Sequence, residues 1–130
     1  MTTLPEFLTD RIADDEAAAH KPPPGVGEAA TWSHLGRPLL DGSLAILGEH
    51  HAVAQARPDW AWHIARWDPA RVLAECEAKR RIVEVHLSGE AWCDHCSGGE
   101  HRGNPDACPT LRLLALPYAD HPDYDETWRP

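Results

Sequence analysis

The stretch that most constrains this 130-residue chain is Cys93-Asp94-His95-Cys96, closed by Cys108 further on. Two cysteines at this spacing lie on one tight turn, with sulfurs placed to share a tetrahedral ion. Cys108 stands directly before Pro109. Proline is favoured at the first helical position, so Cys108 is the expected N-cap of a helix starting there. The positive end of such a helix favours a thiolate. Three sulfurs leave a fourth ligand to be found among His86, His95 and His101. His86 is the expected one, because it ends a helix held by its apolar stripe and presents an imidazole from a rigid position. His95 lies inside the Cys93–Cys96 turn and points outward when both sulfurs converge. His101 is the competing candidate; it sits among Gly98, Gly99, Gly103 and Asn104, where ordering it costs more backbone entropy. Zinc is the expected metal, with an iron–sulfur cluster or thiols without metal as the alternatives. A Cys93–Cys96 redox pair would call for a thioredoxin-like βαβ pattern, which the chain lacks.

A chain of this length is expected to form a single domain over residues 1–130, with a modest core helped by a metal staple. Its formal charge is −9, from 12 basic and 21 acidic residues. Such a chain is a poor ligand for nucleic acid, which is held by clustered Lys and Arg. No stretch is apolar for long enough to span a membrane, and no signal-peptide pattern opens the chain. Grouped cysteines without such a signal imply a reducing, cytoplasmic setting and metal rather than disulfides.

In chain order, Thr3-Leu4-Pro5-Glu6 has the spacing of a capping box, predicting a helix from about Leu4 to about Ala19. Leu4, Phe7, Leu8 and Ile12 form its apolar stripe. Lys21-Pro22-Pro23-Pro24-Gly25 stops it and opens a stiff loop. Leu39-Leu40-Asp41-Gly42-Ser43-Leu44-Ala45-Ile46 carries an Asp-Gly turn between apolar runs, predicting a two-stranded hairpin covered by Trp32. Glu49-His50-His51 suggests a metal cluster at first sight. Neighbours on a strand face opposite ways, so the two histidines are not expected to share an ion. Pro58 opens a short helix to about Arg66, with Trp60, Ile64 and Trp67 on the core stripe and Trp62 outward.

Asp68-Pro69 starts the central helix, which runs to about His86, with Trp67 and Val72 placed as a hydrophobic staple. Val72, Leu73, Cys76, Val83 and Leu87 share its face, and Cys76 reads as a buried thiol rather than a ligand. Arg80, on the same half, calls for a carboxylate partner, with the first helix a candidate source. From Pro109 to about Ala119 the chain is almost wholly apolar, predicting a helix buried on several sides and ended or kinked by Pro117. Asp120-His121-Pro122-Asp123-Tyr124 then caps a short turn toward Trp128. The fold class that follows is mainly α with a small β-hairpin, its helices packed around a structural zinc site.

Four segments carry a resemblance: His63-Ile64-Ala65-Arg66, Asp68-Pro69-Ala70-Arg71-Val72-Leu73, Glu77-Ala78-Lys79-Arg80-Arg81-Ile82, and the run from Leu111 to Tyr124. The chain resembles an uncharacterised family of small proteins found in actinobacteria and the phages that infect them. The similarity covers the first helix and most of the chain from Trp60 onward. The family pattern has a histidine ending the central helix, then Cys-x-x-Cys, then a cysteine before the last helix. Those positions are His86, Cys93, Cys96 and Cys108. The resemblance implies an actinophage or prophage setting and no catalytic activity.

Two functions from different classes compete. One is a binding module whose acidic ends or exposed aromatics engage a protein partner. Residues 1–20 hold five acids against one base, and residues 118–130 hold four against one, so most of the net charge is at the two ends. If they meet, they form one surface that steers toward a basic partner. The other is an enzyme of unknown type using Asp14, Glu16, His63 or His121 as acid, base or ligand. No GxSxG, HExxH, phosphate-binding loop or dinucleotide fingerprint supports it, and a four-ligand zinc has no open position for substrate. The binding module is therefore the expected reading.

Overall fold

Leu4, Phe7, Leu8 and Ile12 recur at helical spacing, and all four are at most 2% exposed on helix α1, Leu4–Ala19. The computed structural model describes residues 2–20, 32–34, 38–48, 52–87 and 104–130. The capping box forms as the sequence predicts: the Thr3 N–H donates to Glu6 Oε2 at 2.8 Å, and the Glu6 N–H donates to Thr3 Oγ1 at 3.4 Å. Those bonds satisfy orphan donors of the first turn and hold the Glu6 carboxyl below the usual carboxylate range.

Contacts gather in two units, one of residues 1–14 and 76–130, the other of residues 15–75. In the first unit the α1 stripe is covered by the C-terminal segment. Phe7 is the hub: its ring is 5.1 Å from Trp128 and 5.9 Å from Tyr124, and meets Tyr118 edge-on at 6.4 Å. Trp128 is 3% exposed, on a short 3-10 turn from Glu126 to Trp128. That turn is capped by Asp125, whose side chain accepts from the Thr127 N–H. The cap is thus displaced from the expected 120–124 run, because Asp125 is the residue directly before the turn.

The helix after Cys108 runs over Pro109–Ala115 and ends in a 3-10 turn, Leu116–Tyr118, where Pro117 supplies no N–H. This helix, the last of the α-helices, is α4. It is one-sided rather than buried all round. Leu111 and Ala115 are fully covered, whereas Leu113 is 58% exposed. A helix of two turns has room for one contact face, and residues 111 and 115 occupy it.

In the second unit a three-stranded antiparallel sheet replaces the expected two-stranded one. Its strands are β1 (Ser33–His34), β2 (Leu44–Leu47) and β3 (Ala52–Ala56), in that order. The Asp-Gly turn is present: Gly42 has φ of +82° and donates to the Leu39 carbonyl, and Leu39 donates to the Ser43 carbonyl. But Leu39-Leu40 is not a strand. β2 pairs instead with Ser33–His34 on one side and Ala52–Ala56 on the other, with an irregularity at Ile46/Leu47.

Helix α2, Pro58–Arg66, lies on this sheet, with Ala61 packed against Leu44 and Ile46, and Trp32 covering the cluster as expected. Its buried residues are Ala61 and Ala65, not Trp60 and Trp67. Trp62 is the most exposed of the three tryptophans at 63%, yet Trp60 reaches 59% and Trp67 43%. Small side chains let the helix backbone sit close on the strands, and an indole there would hold it away.

Helix α3, Pro69–Leu87, starts at Asp68, whose Oδ1 accepts from the Arg71 N–H at 2.8 Å. It runs through both units, with Cys76 and Val83 buried on one face. Arg80 has the carboxylate partner its position calls for in Glu77 of its own helix, 3.6 Å away. Among the described residues no helix is long and apolar enough to cross a membrane.

Candidate functional site

His86 and Cys108 are the two expected metal ligands that the structure describes. Both belong to the first unit. His86 is half-buried in the last turn of α3, and its Nδ1 donates to the Ile82 carbonyl at 2.7 Å. A carbonyl can only accept, so the neutral ring carries its lone pair on Nε2. This is the arrangement that orients a metal-binding imidazole. Cys108 is 2% exposed and is the residue before α4, as the proline rule predicts.

The segment leading to Cys108 is tied down in a way that sequence reasoning missed. Asn104 caps a 3-10 turn, Pro105–Ala107. Asp106 Oδ1 accepts from the Leu4 N–H at 2.8 Å, and the Asp106 carbonyl accepts from Arg112 Nε at 2.7 Å. One acidic residue thus caps the start of α1 across more than a hundred positions. The only sequence signal is an acid two residues before a Cys-Pro helix start.

Cys93, Cys96, His95 and His101 lie outside the described residues, as do Glu49-His50-His51 and Lys21-Pro22-Pro23-Pro24-Gly25. Among the described residues no three His, Cys, Asp or Glu side chains gather as a metal site. Cys76 is 1% exposed on the buried face of α3, where the apolar reading placed it.

The carboxylates and histidines considered for acid–base chemistry separate. Glu16 and His63 belong to the second unit, Asp14 and His121 to the first. Within the first unit, Arg11 joins the two acidic ends. Its guanidinium pairs with Asp14 at 3.0 Å, contacts the His121 ring and lies 5.4 Å from the Phe7 centroid. His121 Nδ1 is 3.8 Å from Asp123. Asp14 and Asp123 are each 70% exposed. Hydrogen bonds from Thr127 hold the Asp125 carboxyl below its usual range, and Arg129 does the same for Glu126. Asp125 and Glu126 therefore stay ionised to lower pH than free carboxylates do.

Two clefts belong to the second unit. One, of about 600 Å³, is bounded by Trp32 and Ser33 on one side and by Asp59, Trp62, His63 and Arg66 of α2 on the other. The second, of about 410 Å³, is apolar and includes Trp67 and Val72, the pair expected as a staple. Arg71 lies over the Trp67 ring at 4.1 Å and pairs with Glu75 at 2.9 Å.

Compared with known proteins, no curated protein and no solved structure matches this chain. One family model does, and it covers residues 1–130. The chain belongs to the family of unknown function DUF6221.

Proposed function

We propose that this protein is a zinc-stabilised binding module, of actinobacterial or phage setting, that engages a basic protein partner through an acidic surface. The observation that carries the reading is the Arg11 junction in the first unit. It ties Asp14 of α1 to the C-terminal segment at His121, beside Asp123, so acids from both chain ends belong to one packed body. Arg11 and Arg129 offset two charges, while Asp10, Asp120, Asp123, Asp125 and Glu126 bring five carboxylates from the same two segments. A surface of this kind raises encounter rates with a positively charged partner.

The proposed zinc ligands are His86, Cys93, Cys96 and Cys108. Support comes from the Ile82 carbonyl, which sets the His86 tautomer for coordination through Nε2, and from the burial of Cys108. Such a site would stiffen the fold and keep the acidic segments in place, and it would carry no reaction.

The test is capture of a basic partner from an actinobacterial lysate at low salt and at about 0.5 M salt, where the screening length falls to roughly 4 Å. The captured protein should be released by salt and should not bind a variant with Asp14, Asp123 and Asp125 all changed to Asn. Retention at high salt, or by the triple variant, would refute the acidic-surface reading.

A further inference from the structure

The 600 Å³ cleft of the second unit is not used by the acidic-surface reading, and its lining has a chemistry of its own. Asp59, Trp62, His63 and Arg66 recur at i, i+3, i+4 and i+7 along α2, so they form one stripe of the helix. Ala61 of the same helix packs on Leu44 and Ile46 of the sheet, and the buried Ala65 lines the cleft beside the stripe. Trp32 stands across from it, held by its backbone: the Trp32 N–H donates to Asp68 Oδ2 at 3.1 Å while Asp68 Oδ1 caps α3. Ser33 follows in β1. The cleft is therefore lined by α2 and by the start of β1, and its volume is within the range that takes small ligands.

The charges along its edge are unequally occupied. Asp59 is 3.5 Å from Arg57. Arg66 has no ion pair among the described residues. One guanidinium is thus left to meet one anionic group, in a chain whose overall charge is −9. A planar guanidinium matches phosphate oxygens in a fork, and an imidazole beside it adds a second donor. Two indoles offer flat apolar faces for a ring. The Asp59 carboxylate and the Ser33 hydroxyl can hold hydroxyl groups between the ring and the anion.

We propose that this cleft binds a nucleoside monophosphate, with the base on Trp62 and Trp32, the sugar hydroxyls toward Asp59 and Ser33, and the phosphate on Arg66 and His63. A single anionic group suits Arg66, the one guanidinium among the described lining residues. A nucleic-acid strand would call for further cations, and the described lining residues hold only Arg66 and His63 to meet phosphate.

The experiment is titration of the full-length protein with adenosine and guanosine 5′-monophosphates, followed by calorimetry and tryptophan fluorescence. Adenosine and inorganic phosphate are the comparison ligands, and an acidic peptide tests the alternative occupant. Saturable binding with fluorescence quenching is expected, with a dissociation constant at or below about 1 mM. Adenosine should bind about tenfold more weakly, and Arg66→Gln should weaken the nucleotide by about tenfold, the size of one charge-assisted contact. Trp62→Leu should cost a similar factor and remove most of the quenching. Both side chains are exposed, so unchanged circular dichroism and melting temperature identify a folded variant; should either variant melt early, the ligand comparison on the unaltered protein decides alone.

The proposal is overturned by any one of four results. They are no saturation by about 10 mM nucleotide, equal affinity for adenosine, displacement of the nucleotide by equimolar inorganic phosphate, or an acidic peptide binding more tightly at the same residues. Because the cleft belongs to residues 15–75, loss of basic-partner capture in the Asp14, Asp123 and Asp125 variant leaves these outcomes unchanged.

Discussion

At the scale of single residues, Tyr124 shows how a packed aromatic can be held against its own polar atom. Its ring is 5.9 Å from Phe7 and 5.7 Å from Trp128, and only 9% of the residue is exposed. The hydroxyl is buried with no hydrogen-bond partner among the described residues. Burying such a group unpaired costs about 1–3 kcal/mol, while the ring contributes its full apolar area. Tyr124→Phe keeps the ring and removes the cost. The expected outcome is a rise of about 1 kcal/mol in unfolding free energy, read as a higher urea midpoint at unchanged slope. A lower midpoint would mean that the hydroxyl finds a partner in solution. Arg11 has a similar internal tension: its Nε is buried without a partner among the described residues, although the rest of the guanidinium serves Asp14 and His121. There the ion pair and the Phe7 face offset the unmet donor.

At the scale of elements, the start of α1 illustrates two kinds of cap acting on one helix. The Thr3–Glu6 capping box is local, and its residues stand three apart. The Asp106 cap is tertiary, and it reaches Leu4 only because the 3-10 turn before Cys108 lies against the helix end. Leu4 is fully buried, so its N–H would have no water to replace a lost acceptor. Asp106→Ala is expected to destabilise the protein by about 1–3 kcal/mol, more than an exposed cap is worth, and to loosen the chain leading to Cys108. Amide exchange at Leu4 measures this directly. Protection should fall sharply there and change little at Ile46 in the sheet. Equal protection in variant and parent would mean that another group caps this helix.

At the scale of the whole molecule, the proposed zinc site and the fold are one equilibrium. If His86, Cys93, Cys96 and Cys108 bind the metal, their binding free energy is folding free energy. Removing zinc with a strong chelator should lower the melting temperature, and adding zinc should restore it. His86→Ala should lose the metal under a mild chelator challenge, and His101→Ala should keep it. The reverse result would make His101 the ligand, and a melting temperature indifferent to chelator would remove the structural metal from the account. Changing Ile82 has no comparable effect in this scheme, because its carbonyl, not its side chain, sets the His86 ring.

Local chemistry made several features legible in the residues alone. The Thr3–Glu6 box, the Asp68 cap, the Pro117 stop and the Asp41-Gly42 turn each depend on the geometry of a few consecutive residues. The apolar stripe of α1 is equally readable, since Leu4, Phe7, Leu8 and Ile12 repeat at the helical period. What the sequence left open depends on which segments meet. Trp60 and Trp67 are more hydrophobic than Ala61 and Ala65, so periodicity and hydrophobicity point to the wrong face of α2. The close approach of the sheet decides for the alanines, because packing rewards fit as well as apolar area. Leu39-Leu40 reads as a strand and is not one, since a strand exists only where a partner offers its backbone, and β2 takes its partners from 33–34 and 52–56. Asp106 capping Leu4 and Arg11 meeting His121 are likewise tertiary facts. Propensity and capping act within a turn of chain, whereas shape complementarity acts between segments whose proximity no short window of sequence encodes.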